Sequence, residues 1–421
     1  MKRSIYTGLH YAMLPLVVAR LKWLSRKHPD YGKNIRQRFG YAASRSDQPI
    51  WIHAVSVGET IAAAPLVNLI LESHPDWPIL ITNTTPTGAE QTKRLFGDTV
   101  SQQYAPYDTP RAIERFIDNV NPRALVVIET ELWPNWIAAL SRQDIPVMIA
   151  NARLSERSAN GYARLGAMAE EMMSSITLVA TQYQADAERY KNLGVNAVKV
   201  LGNIKADTSV TDPDRQIAEG ARERVEGERA PIIMAASTHP GEEEIVLDAS
   251  EKVREEYPSA LLYLAPRHVH RSEEIVKLIQ DQGLNFVKRS QQDYGVTDNI
   301  QVVLCDQLGE LKGLFGATDI VVMGGTLIDH GGHNPLEPAA WGLPIIAGPS
   351  QRNFDSLFSE MEAQSALLRA EANSDSIVHQ IISGWQDPDR LASQGKAASA
   401  YLESQKGAAA RVLQELSLLL N

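Results

Sequence analysis

"PIWIHAVSVGETIAAAPLVNLI", residues 49–70, passes in one step from an unbroken apolar run to a helical pattern. A short apolar run rich in branched side chains fits a strand buried on both faces. Ser56, Val57 and Gly58 make a tight turn, Glu59 follows, and a long apolar helix-like run begins at Thr60. A strand that feeds directly into a helix is the half-unit of a parallel α/β sheet. Glu59 has two readings. It is a first-turn acid that complements the helix dipole, or it is a base held at the strand end, where such sheets present ligand groups.

The same alternation continues outward. Strands are expected at Ile50–Val55, Ile79–Thr82, Ala124–Ile128, Pro146–Ala150, Ile176–Ala180 and Ala197–Leu201, with helices at Thr60–Ser73, Thr87–Phe96 and Gln184–Leu193. The pattern fades in the polar stretch Lys205–Pro231, read as a linker with one short helix, and then restarts. The second set of strands is expected at Ile232–Ala235, Ala260–Ala265, Phe286–Lys288, Val302–Cys305, Ile320–Met323 and Pro344–Ala347. A long helical region, Arg390–Leu420, closes the chain. The expected division is 1–48 as a basic N-terminal helical segment, 49–205 as a first Rossmann-like domain, 206–230 as linker, 231–389 as a second Rossmann-like domain and 390–421 as a C-terminal helical region.

With 44% hydrophobic and 22% charged residues the chain of 421 is globular and long enough for more than one core. Its single cysteine, Cys305, excludes an internal disulfide and argues against a cysteine-based zinc site. The formal charge of −10 is unevenly spread: residues 1–50 carry +8 and the rest −18. An acidic body repels nucleic acid, so no nucleic-acid partner is expected.

The basic end suggests an anionic surface instead. Ile5–Ala19 contains no charged residue, and Arg20, Lys22, Trp23, Arg26 and Lys27 follow at once. Its fifteen residues reach about 22 Å as a helix, short of a bilayer core of roughly 30 Å, and Pro15 is expected to kink or divide it. Charged residues stand where a signal peptide needs a cleavage site. The segment is read as a helix lying in or dipping into an anionic membrane surface; the bland reading is a helix that covers a groove on the protein.

No G-x-G-x-x-G follows the first strand and no G-x-x-x-x-G-K-[ST] occurs, which counts against nicotinamide dehydrogenases and P-loop NTPases. The triplets Asp-Pro-Asp at 212–214 and 387–389 are read as turn chemistry rather than metal ligands. His268 and His270 lack a nearby acid or cysteine to complete a metal set, and are read with Arg267 as a basic cluster at a strand end. Glu129 and Glu131 end one apolar strand and Lys205 follows another. Each acid is either a helix cap or a group kept for use, and Lys205 is either a surface lysine or part of the site. In "MGGTLIDHGGHNPLEPAAWGLPIIAGP", residues 323–349, Asn334 is expected to cap a helix that has Pro335 at its first position, with its free N–H groups suited to a phosphate.

Taken together, "WIHAVSVGET", "NTTPTGAEQ", "IETELWPN", "IANARLSERSANGY", "ASTHPGEEE", "LAPRH", "GELKGLFGATD" and "GGHNPLEPAAWGLPIIAGP" closely resemble the bacterial transferases of 3-deoxy-D-manno-octulosonic acid (Kdo). The resemblance covers essentially the whole chain. It implies the GT-B fold, two Rossmann-like domains facing a central cleft, here with an N-terminal membrane-associated helix. It implies inverting transfer of Kdo from CMP-Kdo to the lipid A precursor (lipid IVA) at the cytoplasmic face of the bacterial inner membrane, with no metal and no cofactor. By motif, Glu59 matches the proton acceptor, and Glu129 and Lys205 match positions that stabilise the transition state. Pro266 and Arg267, then Leu308, Gly309 and Glu310, then Asn334, Pro335, Leu336 and Glu337 match three CMP-binding segments. Leu308 stands where Met also occurs in the family. A nucleotide-sugar epimerase on a similar scaffold, and a membrane-bound CMP-binding scaffold without catalysis, are the rival readings; the first would not need the basic apolar N-terminus, and the joint presence of Glu59, Glu129, Lys205 and the nucleotide segments argues against the second.

Overall fold

The computed structural model describes residues 2–26, 29–228, 230–291, 294–352 and 354–420. Lys27 of the basic run and Arg229 of the expected linker lie outside them. The described chain forms two units, Met1–Asp207 with Gln405–Asn421, and Thr208–Ser404.

The first unit is built on β1 (Ile50–His53), β2 (Ile79–Asn83), β3 (Ser101–Tyr104), β4 (Ala124–Ile128), β5 (Val147–Ala152), β6 (Leu178–Thr181) and β7 (Val198–Val200), in the order β3-β2-β1-β4-β5-β6-β7. Every pairing is parallel. The apolar runs behave as a sheet covered on both faces requires. Ile50 and Ile52 point into one core with Ala62, Leu66 and Ile70 of the following helix, α2 (Val57–Ser73). Trp51, between them, points into the other core with Phe116 and Trp136. Each such side chain contributes about 1.5–3 kcal/mol by leaving water.

The second unit repeats the scheme with β8 (Ile232–Thr238), β9 (Leu261–Pro266), β10 (Phe286–Lys288), β11 (Val302–Leu304), β12 (Ile320–Met323), β13 (Ile345–Ala347) and β14 (Leu368–Arg369), ordered β10-β11-β9-β8-β12-β13-β14. In each sheet the strand order reverses beside the first strand, between β1 and β4 and between β8 and β12. Such a reversal opens a crevice at the strand C-termini, where ligands of open α/β sheets bind.

Several boundaries differ from the sequence expectation. From Thr208 on, the expected linker belongs to the second unit, because its helix Asp212–Arg222 buries Ala218 and Ala221 there. Asp212-Pro213-Asp214 is the first turn of that helix rather than a free turn: Thr211 Oγ1 and the Thr211 N–H both donate to Asp214. Pro388 and Asp389 likewise open the helix Pro388–Gln405. The C-terminal region is two helices, broken before Ala408–Leu420. The last helix returns to the first unit, where Val412, Leu413 and Leu416 join the α2 core. Asp207 receives the N–H groups of Gly407 at 2.5 Å and Ala409 at 2.6 Å and fixes that return.

Pro15 does not divide the N-terminal helix, which runs unbroken as α1 (Arg3–Leu24). One face of α1 is tied to the first unit: Thr7 Oγ1 donates to Asn135 at 2.9 Å, Arg3 pairs with Glu171 at 3.1 Å, and Leu21 is buried. These ties hold the segment on both sides of the proline and compensate the lost backbone hydrogen bond. The opposite face carries Ile5, Leu9, Met13, Leu16 and Trp23, each more than half exposed, at the spacing of one helical stripe. Among the described residues, no helix is long and apolar enough to cross a membrane.

Candidate active site

The turn after β1 is held rigidly. Asn83, fully buried at the end of β2, donates to the Ala54 carbonyl at 2.7 Å and to Thr60 Oγ1 at 3.1 Å, and accepts from Thr92 at 3.0 Å. This network clamps β1 to the first turn of α2. Glu59 is the third residue of α2, and its Oε2 accepts from the Ser56 N–H at 3.0 Å and from the Ser56 hydroxyl. The first-turn reading is therefore correct as geometry. It occupies one carboxylate oxygen only; Oε1 has no hydrogen-bond partner among the described residues, and the side chain is half-buried.

Glu129 leaves β4 with φ at +67°, a left-handed conformation rare outside glycine, at a cost of about 1–3 kcal/mol. The contorted backbone delivers the carboxylate to two cations. Lys205 Nζ lies 2.6 Å from Oε1 and Arg153 Nη2 lies 3.3 Å from Oε2. Burial alone would raise the Glu129 carboxyl, but the charges of Lys205 and Arg153 outweigh it and hold the group below the usual carboxylate range. Lys205 sits in a single 3₁₀ turn, Ile204–Asp207, whose backbone is fixed by Asn151 and Asn203: their side-chain oxygens accept from Ile204 and Lys205, each at 3.0 Å. Thr130 Oγ1 also donates to the Arg153 carbonyl.

Glu131 feels the charge of Glu59. Burial, and next the Glu59 charge, push its carboxyl up, and Glu131 in turn raises the Tyr162 phenol after burial has done so. At the C-terminal side of the first sheet, then, Glu59 and Glu131 form one acidic pair and Glu129, Lys205 and Arg153 form a triad of net charge +1. Glu59 follows β1 and the two other acids follow β4, so they flank the reversal of strand order. Sequence reasoning named Glu59, Glu129 and Lys205. It quoted Arg153 within "IANARLSERSANGY" without giving it a role; its position directly after a strand was the available signal.

In the second unit Pro266 ends β9, and the exposed Arg267 follows, with its N–H bonded to the Thr238 carbonyl at 3.0 Å. Leu308 is exposed, Gly309 has φ at +88°, and Glu310 is paired with Arg289 at 3.1 Å. The segment Asn334–Glu337 lies in the loop and first turn after β12. Its helix begins one residue later than expected, at Leu336, and spans five residues, Leu336–Ala340. Pro335 caps it, and Asn334 Oδ1 accepts from the Leu336 N–H at 3.3 Å. His268 and His270 follow β9 with Arg267, as expected, and the cluster is larger than the sequence suggests. They adjoin His239, His330 and His333, whose ring nitrogens gather after β8 and β12. The histidines of "ASTHP" and "DHGGH" were not given a role from sequence, because only the strand order β9-β8-β12 unites them.

Two parallel α/β units, each with a polar cluster at its strand C-termini, have the architecture of a GT-B glycosyltransferase. In agreement, residues 230–401 match the family model "Glycosyl transferases group 1". Over 88% of this chain and 99% of the other, the fold is similar to a UDP-GlcNAc 2-epimerase from Neisseria meningitidis bound to UDP-GlcNAc, with a TM-score of 0.62 and 15% identity, a likeness of fold alone. Residues 33–208 match the model "3-Deoxy-D-manno-octulosonic-acid transferase (kdotransferase)". The chain is 39% identical to the 3-deoxy-D-manno-octulosonic acid transferase of Haemophilus influenzae, over 99% of this chain and 98% of that one, and 33% identical to that of Bordetella pertussis, over 99% of both. The chain belongs to the Kdo transferase family of glycosyltransferases.

Proposed function

We propose that this enzyme transfers Kdo from CMP-Kdo to a lipid A precursor (lipid IVA), with inversion at the reacting carbon and without a metal ion. The second unit holds CMP through Pro266, Arg267, Leu308–Glu310 and Asn334–Glu337, and the first unit binds the acceptor. Glu59 takes the proton of the acceptor hydroxyl as its oxygen attacks the anomeric carbon of Kdo. The bond from that carbon to the phosphate oxygen breaks, and CMP leaves with the electron pair. A phosphate is already a good leaving group, so positive charge rather than a general acid or a metal assists its departure. Lys205 supplies such charge, and Glu129 orients it.

The observation that carries this reading is that a half-free carboxylate, Glu59, and the part-buried Glu129–Lys205 ion pair stand on either side of the strand reversal of the first sheet. The exposed apolar stripe of α1, with the basic residues around it, supports placement at the cytoplasmic face of an anionic inner membrane. Incubation with CMP-Kdo and lipid A precursor, followed by mass spectrometry, tests the reaction. Mass gains in units of one Kdo residue are expected; turnover of CMP-Kdo with no gain in lipid mass would reject it.

A further inference from the structure

The roles above leave the histidines of the second unit unused. Five of them, from three separate segments, form one continuous cluster. The Nε2 atoms of His239 and His333 are 2.8 Å apart, and the rings are nearly parallel. His330 lies against His239 with ring centroids 3.8 Å apart. His268 meets the edge of His239 at 5.8 Å, and His270 follows at 5.5 Å from His268.

The cluster is built into the fold. His239 follows β8, and His330 and His333 follow β12, so it occupies the strand reversal of the second sheet, where such folds receive ligands. Glu242, fully buried, fastens the two loops to each other: it accepts from the N–H groups of His239 at 3.0 Å, Gly325 at 2.7 Å and Leu327 at 2.9 Å. Gly325 has φ at +69°, and a Cβ there would stand 3.0 Å from the His333 ring, so the loop is shaped to admit the imidazoles.

The surrounding charge is positive. Arg267 stands at the end of β9 and its charge reaches His239 and His333. Arg271 is offset by Glu243 and Glu274, Asp329 is paired with Arg352, and the Glu242 carboxylate is taken up by backbone N–H groups. Burial, then neighbouring histidines and arginines, hold His239 at about 4 and His333 at about 3, and lower His268. At neutral pH these rings are uncharged, and the charge beside them is that of Arg267, which an arriving anion balances.

We propose that the histidine cluster at the strand reversal of the second sheet is the receptor for the carboxylate of the donor's sugar acid, distinct from the contacts that hold CMP. This rests on the donor reading above. The neutral imidazoles of the cluster donate N–H hydrogen bonds to the carboxylate, and the Arg267 charge balances it. The same nitrogens suit a zinc-like ion in ligand type. Against that, two nitrogens on one tetrahedral zinc stand roughly 3.3 Å apart at ordinary bond lengths, whereas His239 and His333 are at hydrogen-bond distance and Arg267 repels a cation.

The test is calorimetric titration of the full-length protein at pH 7 with CMP-Kdo and, separately, CMP. Wild type is compared with His330→Gln and His333→Gln. Each variant is expected to lose roughly tenfold or more in CMP-Kdo affinity, the scale of a charge-assisted contact, while CMP affinity stays within about twofold and reports an intact fold. Equal losses for both ligands, or unchanged CMP-Kdo affinity in both variants, would overturn the proposal. So would micromolar binding of Zn²⁺ that displaces CMP-Kdo. Wild type that binds CMP but not CMP-Kdo would also overturn it, and wild type that binds neither would overturn the donor reading itself.

Discussion

Lys205 Nζ and Glu129 Oε1 lie 2.6 Å apart although 76 residues separate them in sequence. The pair joins the ends of β4 and β7, which are not neighbours in the sheet. Glu129 accepts a left-handed backbone to reach it, and Arg153 closes on its other oxygen. A buried carboxylate between two cations orients both of them, so the triad is a positioning device for positive charge.

Glu129→Gln removes the anion from beneath two cations. Breaking a buried pair costs about 3–5 kcal/mol when both partners are sealed. Lys205 and Arg153 retain access to water, so a loss of about 1–3 kcal/mol is expected by urea denaturation at pH 7. Glu129 is held below its ordinary value of 4.5, so the unfolded chain binds its proton first as the pH falls. Its contribution is full above pH 4.5 and is lost as the pH drops through the depressed folded value. The variant should lack that step.

Arg153→Ala leaves Lys205 on Glu129 but removes the second cation. Transfer is expected to fall about tenfold, with CMP affinity unchanged, because the substitution lies in the other unit from the nucleotide segments. Steady-state transfer alongside CMP titration checks both halves; an equal fall in CMP affinity would place Arg153 elsewhere in the cycle.

Glu131 is raised by burial and by the Glu59 charge, so its ionised form is unfavourable in the folded state. The folded chain keeps the proton to higher pH than the unfolded chain does, and stability declines as the pH rises through the two values. Glu131→Gln should abolish this decline and raise stability at pH 7 relative to pH 4. Denaturation curves at the two pH values measure it. Transfer should survive within a few-fold, since the base is assigned to Glu59.

Leu9→Glu with Leu16→Glu places charges on the exposed stripe of α1 and disturbs no buried contact. Co-sedimentation with anionic vesicles should fall at least tenfold, since each apolar side chain withdrawn from the interface forfeits about 1 kcal/mol or more. CMP affinity should be unchanged. Undiminished vesicle binding would remove α1 from the membrane contact.

Most of the fold is legible because parallel strands buried on both faces are short apolar runs, as at Ala124–Ile128 and Ile320–Met323. The edge strand Ser101–Tyr104 is polar and only its last residue is buried, so it gives no such signal; β14 has two residues. At the site, Glu59, Glu129 and Lys205 are legible one at a time, since each follows a strand. Their arrangement is not, because β5 and β6 intervene between β4 and β7 and only the sheet order brings the partners together. The histidine cluster is hidden for the same reason. Pro15 misleads because its penalty is local, whereas the contacts of Arg3, Thr7 and Leu21 that hold α1 straight are tertiary.

The most direct test is single-turnover transfer by Glu59→Gln, with CMP-Kdo and lipid A precursor both saturating and CMP affinity measured in parallel. Removal of a general base typically costs about 10²–10⁴-fold. Glutamine still accepts from Ser56, so the cap and the fold are preserved. A loss of that size with CMP binding intact is predicted; near-normal turnover would show that Glu59 is a helix cap and nothing more.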